Sequence, residues 1–185
     1  MDYVINLLSV SLYEGLAYGL VALGVYITFR VLAFPDLTVD GSFPLGGAVA
    51  AVLIVSGVNP WLATLAALIA GICAGLMTSL LNTKLRINAL LAGILMMVAL
   101  YSINLAIMGR SNISVLREET VFKQTARLFG IEPTTVLSII FMVILTIVIL
   151  GILNWFLRTE IGLALRATGD NAQMVRGLGV STTNW

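Results

Sequence analysis

Three carboxylates lie in or beside apolar sequence, and they are the residues best placed to do chemistry. Glu14 sits inside the apolar stretch 3–29. An ionisable group at membrane depth costs about 3 kcal/mol and usually faces a cavity or a partner. Ser11 and Tyr18 share its helical face, giving a narrow polar stripe. A helix beginning near Leu12 would instead leave Glu14 among the external headgroups. Asp36 and Asp40 are four residues apart, so a helix there would put both on one face. Paired carboxylates suit an aspartyl intramembrane protease, but neither a Gly-x-Gly-Asp nor a Tyr-Asp sequence accompanies them. They are expected to cap helix starts, or to bind Arg and backbone amides near a cytoplasmic mouth. Histidine is absent and Cys73 is the single cysteine. Ser-His catalysis, zinc sites and disulfides are therefore excluded, and no catalytic or metal residue is expected.

The elements that hold these residues follow from composition. The chain is 59% hydrophobic and 10% charged, with a mean hydropathy of +1.05; soluble domains are about a quarter charged. Its solvent is the bilayer. A net charge of +1 gives no electrostatic reason to bind nucleic acid. Asp2 precedes the apolar run without a basic n-region, so no cleaved signal peptide is expected.

Five apolar stretches follow one another: 3–29, 43–58, 61–81, 89–108 and 134–157. A spanning helix needs about 20 apolar residues, which the second stretch lacks. At 1.5 Å per residue it reaches only about 24 Å, so it must borrow length from the preceding FPDLTVDGSFP. Irregular backbone at membrane depth is tolerated where protein or a wet cavity surrounds it. That makes Asp36, Asp40, Gly41 and Ser42 candidates for a translocation pathway, together with Glu14. A surface loop leading into a short helix accounts for the same pattern. Ser42 or Asp40 is the expected N-cap, with Pro44 in the first turn.

Gly15 and Gly19, and Gly71 and Gly75, form G-x-x-x-G pairs that allow close helix approach in lipid. Basic residues in the connections set orientation. Arg30, Lys84, Arg86, Arg158, Arg166 and Arg176 share one side, against Arg110, Arg117, Lys123 and Arg127 on the other. This six-to-four bias favours an external N-terminus and a cytoplasmic 158–185. In the long fourth connection, Val121, Thr125, Leu128 and Phe129 recur at helical spacing, predicting a short interfacial helix.

Residues 158–185 are polar and Arg-bearing directly after an apolar run. Asp170 is an expected N-cap for a helix of two turns that Gly179 ends. On it Ala172, Val175 and Leu178 fall on one face. A short helix with one apolar face suits a groove on another protein; an amphipathic helix lying on lipid fits the same spacing. The expected organisation is one transmembrane region, 1–157, and a polar cytoplasmic segment, 158–185.

Two strings give a resemblance. Gly162-x-x-x-Arg166-Ala167-x-Gly169-x-Asn171, closing in Gly179-Val180, resembles the coupling segment of ABC importer permeases of the branched-chain amino acid and ribose family. Residues 22–48, ALGVYITFRVLAFPDLTVDGSFPLGGA, are similar to a less characterised branch linked to aromatic amino acid uptake, tryptophan especially. The resemblance implies an all-α polytopic bundle of the type II importer kind, with about five transmembrane helices here. It implies a multi-pass subunit of the cytoplasmic (inner) membrane that imports a small solute, an amino acid or related compound. The implied partners are a cytoplasmic ATPase subunit, a second permease subunit (a homodimer), an extracytoplasmic solute-binding protein and membrane lipid. Gly162, Arg166, Ala167, Gly169, Asn171 and Gly179 would face the ATPase, joined by Val175 and Leu178 from the apolar face of the short helix. ATP and Mg would reside there, since G-x-x-x-x-G-K-[ST] is absent from this chain, and no cofactor is expected here. Family members continue with further helices beyond this segment, so a C-terminal truncation is expected, with 1–157 an incomplete domain and 158–185 its coupling segment. A secondary transporter fragment, with Glu14 as its ion relay, or a non-transporting structural subunit are the alternatives.

Overall fold

The computed structural model describes residues 2–115, 118–128 and 135–177. Those residues form helices and connections only: α1 (Asp2–Tyr26), a π-helical turn (Ile27–Val31), α2 (Val39–Val55), α3 (Pro60–Thr83), α4 (Ala89–Met108), α5 (Val121–Leu128), α6 (Thr135–Leu157) and α7 (Glu160–Gly177). Among the described residues, four helical segments are long and apolar enough to cross a membrane: Leu7–Val31, Pro60–Thr83, Ala89–Met108 and Thr135–Leu157. The all-α, polytopic, multi-pass architecture is therefore as expected. The chain divides into two compact units, one of Met1–Phe34 with Pro133–Trp185 and one of Pro35–Glu132.

In the unit Pro35–Glu132, α2 packs against both α3 and α4. Leu45, Ala74, Met96 and Leu100 form its core, with Val49, Ala70 and Leu81 against it. α3 opens on Pro60, whose fixed φ suits the first turn, and the Asn59 side chain accepts from Trp61 N at 3.0 Å. Asn88 caps α4 in the same way, accepting from Leu90 N at 3.0 Å, and Gly109 ends it at φ 63°. α5, the expected short helix, packs against α3 and buries Ala126; Phe129 lies outside the described residues.

α2 starts before Phe43, as its shortness requires, but it ends at Val55, so at 17 residues it stays shorter than the four spanning segments; its start also corrects the expected cap. The helix begins at Val39, with Thr38 in the cap position and no side-chain cap bond. Neither Asp40 nor Ser42 is the N-cap, and Pro44 stands inside the helix beyond its first turn. The reason is local. Asp36 Oδ1 accepts from Thr38 N at 2.8 Å and turns the chain there, while the Thr38 hydroxyl is engaged with another helix.

In the other unit, α1 packs with α6, and α7 packs on both the π-turn and α6. α1 begins at Asp2, so Glu14 stands well inside it rather than near its start. The π-turn closes with Leu32 N bonded to Ile27 O at 3.0 Å and Phe34 N to Thr28 O at 2.9 Å. Ala33 then takes a left-handed φ of 50°, a conformation that costs a non-glycine residue about 1–2 kcal/mol. α6 ends at Leu157, and Thr159 starts α7: its Oγ1 accepts from Gly162 N at 3.3 Å and its carbonyl from Leu163 N at 2.9 Å.

Candidate functional site

In the unit Pro35–Glu132, the irregular segment before α2 is wedged against α4 by two glycines. A Cβ added at Gly93 would stand 2.8 Å from Leu37 N and 3.3 Å from Asp36 Oδ1. One added at Gly41 would stand 3.0 Å from Leu100 Cβ and 3.1 Å from Met97 Cα. No side chain fits at either place without movement. By contrast, Gly15, Gly19, Gly71 and Gly75 have nothing within 4 Å of a Cβ position. The expected G-x-x-x-G pairs therefore make no close approach among the described residues; Gly41 and Gly93 do.

Two polar contacts complete the clamp. Thr38 Oγ1 and Thr78 Oγ1 are 2.8 Å apart, and both residues are buried. Either hydroxyl can donate across that contact, and Thr78 Oγ1 also lies 3.2 Å from the Ala74 carbonyl, to which it can donate. Asn104 Nδ2 donates to Gly41 O at 3.3 Å. Between apolar helices such bonds carry association that lipid, as apolar as leucine, does not drive; each contributes about 0.6–2 kcal/mol.

Beside the clamp is a cavity of about 340 Å³ lined by Asp40, Gly41, Pro44, Met97, Val98, Tyr101 and Asn104. Of the pathway candidates, Asp40 and Gly41 line it. Asp36 is spent on its turn and precedes the helix, so the two aspartates do not share a helical face. Ser42 is in α2, its N–H bonded to Thr38 O at 2.8 Å. Glu14 is exposed on α1. Sequence reasoning missed Asn104, Thr78 and Gly93. Asn104 left a signal, as an amide in an otherwise apolar spanning segment; Gly93 left none.

The second group of candidates lies on α7. Its backbone breaks at Asn171, where φ is −157° and ψ 90°. Asn171 Oδ1 accepts from Met174 N at 3.0 Å, the bond of an N-cap. The short helix therefore starts one residue later than expected, on Asn171 rather than Asp170. Before the break, Gly162 and Gly169 allow close packing. A Cβ at Gly162 would run into the Phe156 carbonyl and Leu157, and one at Gly169 into the Val31 carbonyl of the π-turn. Arg166, Ala167, Asp170 and Met174 are exposed. Val175 follows the break within α7, whereas Leu178 and Gly179 lie outside the described residues.

With both regions in place, the comparisons decide the family. The family model of the branched-chain amino acid transport system permease component matches residues 7–185. The chain belongs to that family. It is 41% identical over 168 residues to the tyrosine transport system permease protein of Clostridioides difficile (strain R20291), covering 91% of this chain and 54% of that protein. It is 38% identical over 182 residues to an uncharacterized protein of Rickettsia prowazekii (strain Madrid E), covering 97% of this chain and 64% of the relative. The chain thus spans between about half and two thirds of the length of these curated relatives. No solved structure matches it.

Proposed function

We propose that the chain is the membrane-spanning permease part of an ATP-binding cassette importer that carries an amino acid or related solute across the cytoplasmic membrane. The observation that carries this reading is the break at Asn171. It sets off a short, separately capped helix beyond α6, inside a chain that belongs to a permease family. A capped helix with exposed flanking residues offers a compact handle for a soluble ATPase. ATP hydrolysis belongs to that partner, and alternating access follows as a population shift between inward-open and outward-open packings. The relative's name makes tyrosine the first solute to try.

In this reading α7 lies on the cytoplasmic side, and a second permease subunit and a solute-binding protein complete the transporter. Motion at the short helix would pass through residues 160–170 to the π-turn that Gly169 touches. The test is a thiol cross-link. Met174 is 60% exposed, and in a full-length Cys73→Ser background Met174→Cys is expected to cross-link to the ATPase. The yield should change between nucleotide-free and ATP-bound states. Labelling of that thiol only by reagents added outside the cell would overturn the assignment.

A further inference from the structure

In the unit of Met1–Phe34 with Pro133–Trp185, the contacts of α7 bring arginines from three elements to one end. α7 follows the C-terminal end of α6 and packs on the π-turn that ends α1, so the C-terminal ends of α1 and α6 lie on the same side. Gly162 sits against Phe156 and Leu157, and Arg158 is the next residue; Gly169 sits against the Val31 carbonyl, and Arg30 directly precedes Val31. Between the two glycines α7 runs without a break, about 10 Å of helix axis, which sets the spacing of Arg30 and Arg158. Arg166 falls between the glycines and on their face of α7. All three arginines are exposed, and among the described residues none has an ion pair or a side-chain hydrogen bond. The carboxylates of this region are Asp170, exposed and beside Gly169, and Glu160, on the face of α7 away from the glycines. One turn back along each spanning helix the surface is aromatic. Trp155 is 71% exposed, with its carbonyl bonded to Arg158 N at 3.1 Å, and Tyr26 and Phe29 are exposed at the end of α1. Trp and Tyr collect where a spanning helix meets the headgroups, which puts the arginines at phosphate level.

We infer that this end of the unit binds an anionic phospholipid, its phosphate held by Arg30 and Arg158 with Arg166 between them, and its glycerol and upper acyl portion against Trp155 and Tyr26. The inference goes beyond the importer reading: it needs α1 and α6 to span a bilayer and holds whatever the chain transports. A guanidinium fork matches two phosphate oxygens at once. Each basic residue at a membrane surface strengthens the hold on anionic lipid severalfold. A zwitterionic headgroup brings its own ammonium to the same place and gains less. An acidic soluble partner would satisfy the guanidiniums but would leave Trp155 and Tyr26 uncovered at the edge of the apolar surface. The aromatic rings below the charges select a lipid.

The experiment measures equilibrium binding of dioctanoyl phosphatidylglycerol and dioctanoyl phosphatidylcholine to the full-length permease in detergent, without its ATPase. The anionic lipid is expected to bind about tenfold more tightly. Arg30→Gln and Arg158→Gln should each weaken it about fivefold and leave phosphatidylcholine unchanged. Unchanged phosphatidylcholine binding shows that a variant is folded, and the two positions lie on different elements, so one misfolded variant leaves the other to decide. Trp155→Leu should weaken both lipids alike. Lys84→Gln combined with Arg86→Gln, at basic residues of the other unit, is the control and should leave phosphatidylglycerol binding within about twofold. Equal binding of the two lipids overturns the site. A loss in the Lys84 and Arg86 control as large as in the arginine variants overturns it too, since diffuse charge would then suffice. Displacement by excess inorganic phosphate, with Trp155→Leu silent, would make it a site for a free anion and overturn the lipid assignment.

Discussion

Residues 35–42, which lead into α2, and residues 160–177, the broken helix α7, are held in opposite ways. The first is locked from every side. Asp36 turns the chain, Thr38 is bonded to the buried Thr78, Gly41 lies under Leu100, and Gly93 admits the Leu37 backbone. The second touches its unit closely at Gly162 and Gly169, while Arg166, Ala167, Asp170, Asn171 and Met174 remain exposed. A polar, bent backbone inside a membrane must be satisfied by protein, so the first stretch has no freedom to spare. In the proposed reading the second, which follows α6, needs only enough packing to pass on a push. One stretch holds a shape; the other, in the proposed reading, is there to be gripped.

The contrast fails most visibly if the tight stretch tolerates bulk. Gly93→Val should cost the unit Pro35–Glu132 about 3 kcal/mol or more through overpacking, seen as a large fall in thermal midpoint of the full-length protein in detergent. Gly75→Val, where nothing stands within 4 Å of the Cβ, is the control and should be nearly silent. Similar losses at both positions would mean that the wedge against Leu37 is not what holds the segment.

A smaller effect is expected at the junction of α7 with the π-turn. Gly169→Ala places a methyl against the Val31 carbonyl, displacing residues 160–170 at a cost of about 1–3 kcal/mol. Membrane insertion and thermal stability of the unit Pro35–Glu132 should hardly change. ATP-dependent transport by the assembled complex should fall several-fold while ATPase binding persists. Unchanged transport would place the transmission route elsewhere.

The smallest effect concerns the cap. Asn171→Ala removes the acceptor for Met174 N and should cost the short helix about 1 kcal/mol. Hydrogen exchange at Met174 should quicken about fivefold, by the usual conversion of that energy. Asn171→Asp keeps an acceptor and should restore protection. If both exchange alike, the Oδ1 bond contributes nothing.

The spans were legible because lipid demands continuous apolar runs. The fourth stretch, Ala89–Met108, coincides with α4, and the second does start before Phe43, although it stops at Val55 and stays 17 residues long. The cap of α2 was not legible. Asp40 and Ser42 are good capping residues by type, but Asp36 and Thr38 settled the turn through a bond and through Thr78, 40 residues away. Asp170 and Asn171 are adjacent and equally capable caps, so only the backbone could say which one breaks the helix. The polar clamp and cavity were beyond sequence reading for the same reason: Asn104 finds Gly41 across 63 residues, and neither residue shows its partner.

The importer reading is tested most directly by proteoliposomes holding the complete permease with its ATPase and solute-binding protein. Tyrosine accumulation is followed with ATP supplied on the side that α7 faces. Accumulation against a gradient is expected with ATP and binding protein together, and a charge introduced as Val175→Asp should abolish it without loss of membrane insertion. Accumulation driven by a sodium or proton gradient without ATP, or undiminished by Val175→Asp, would contradict the account.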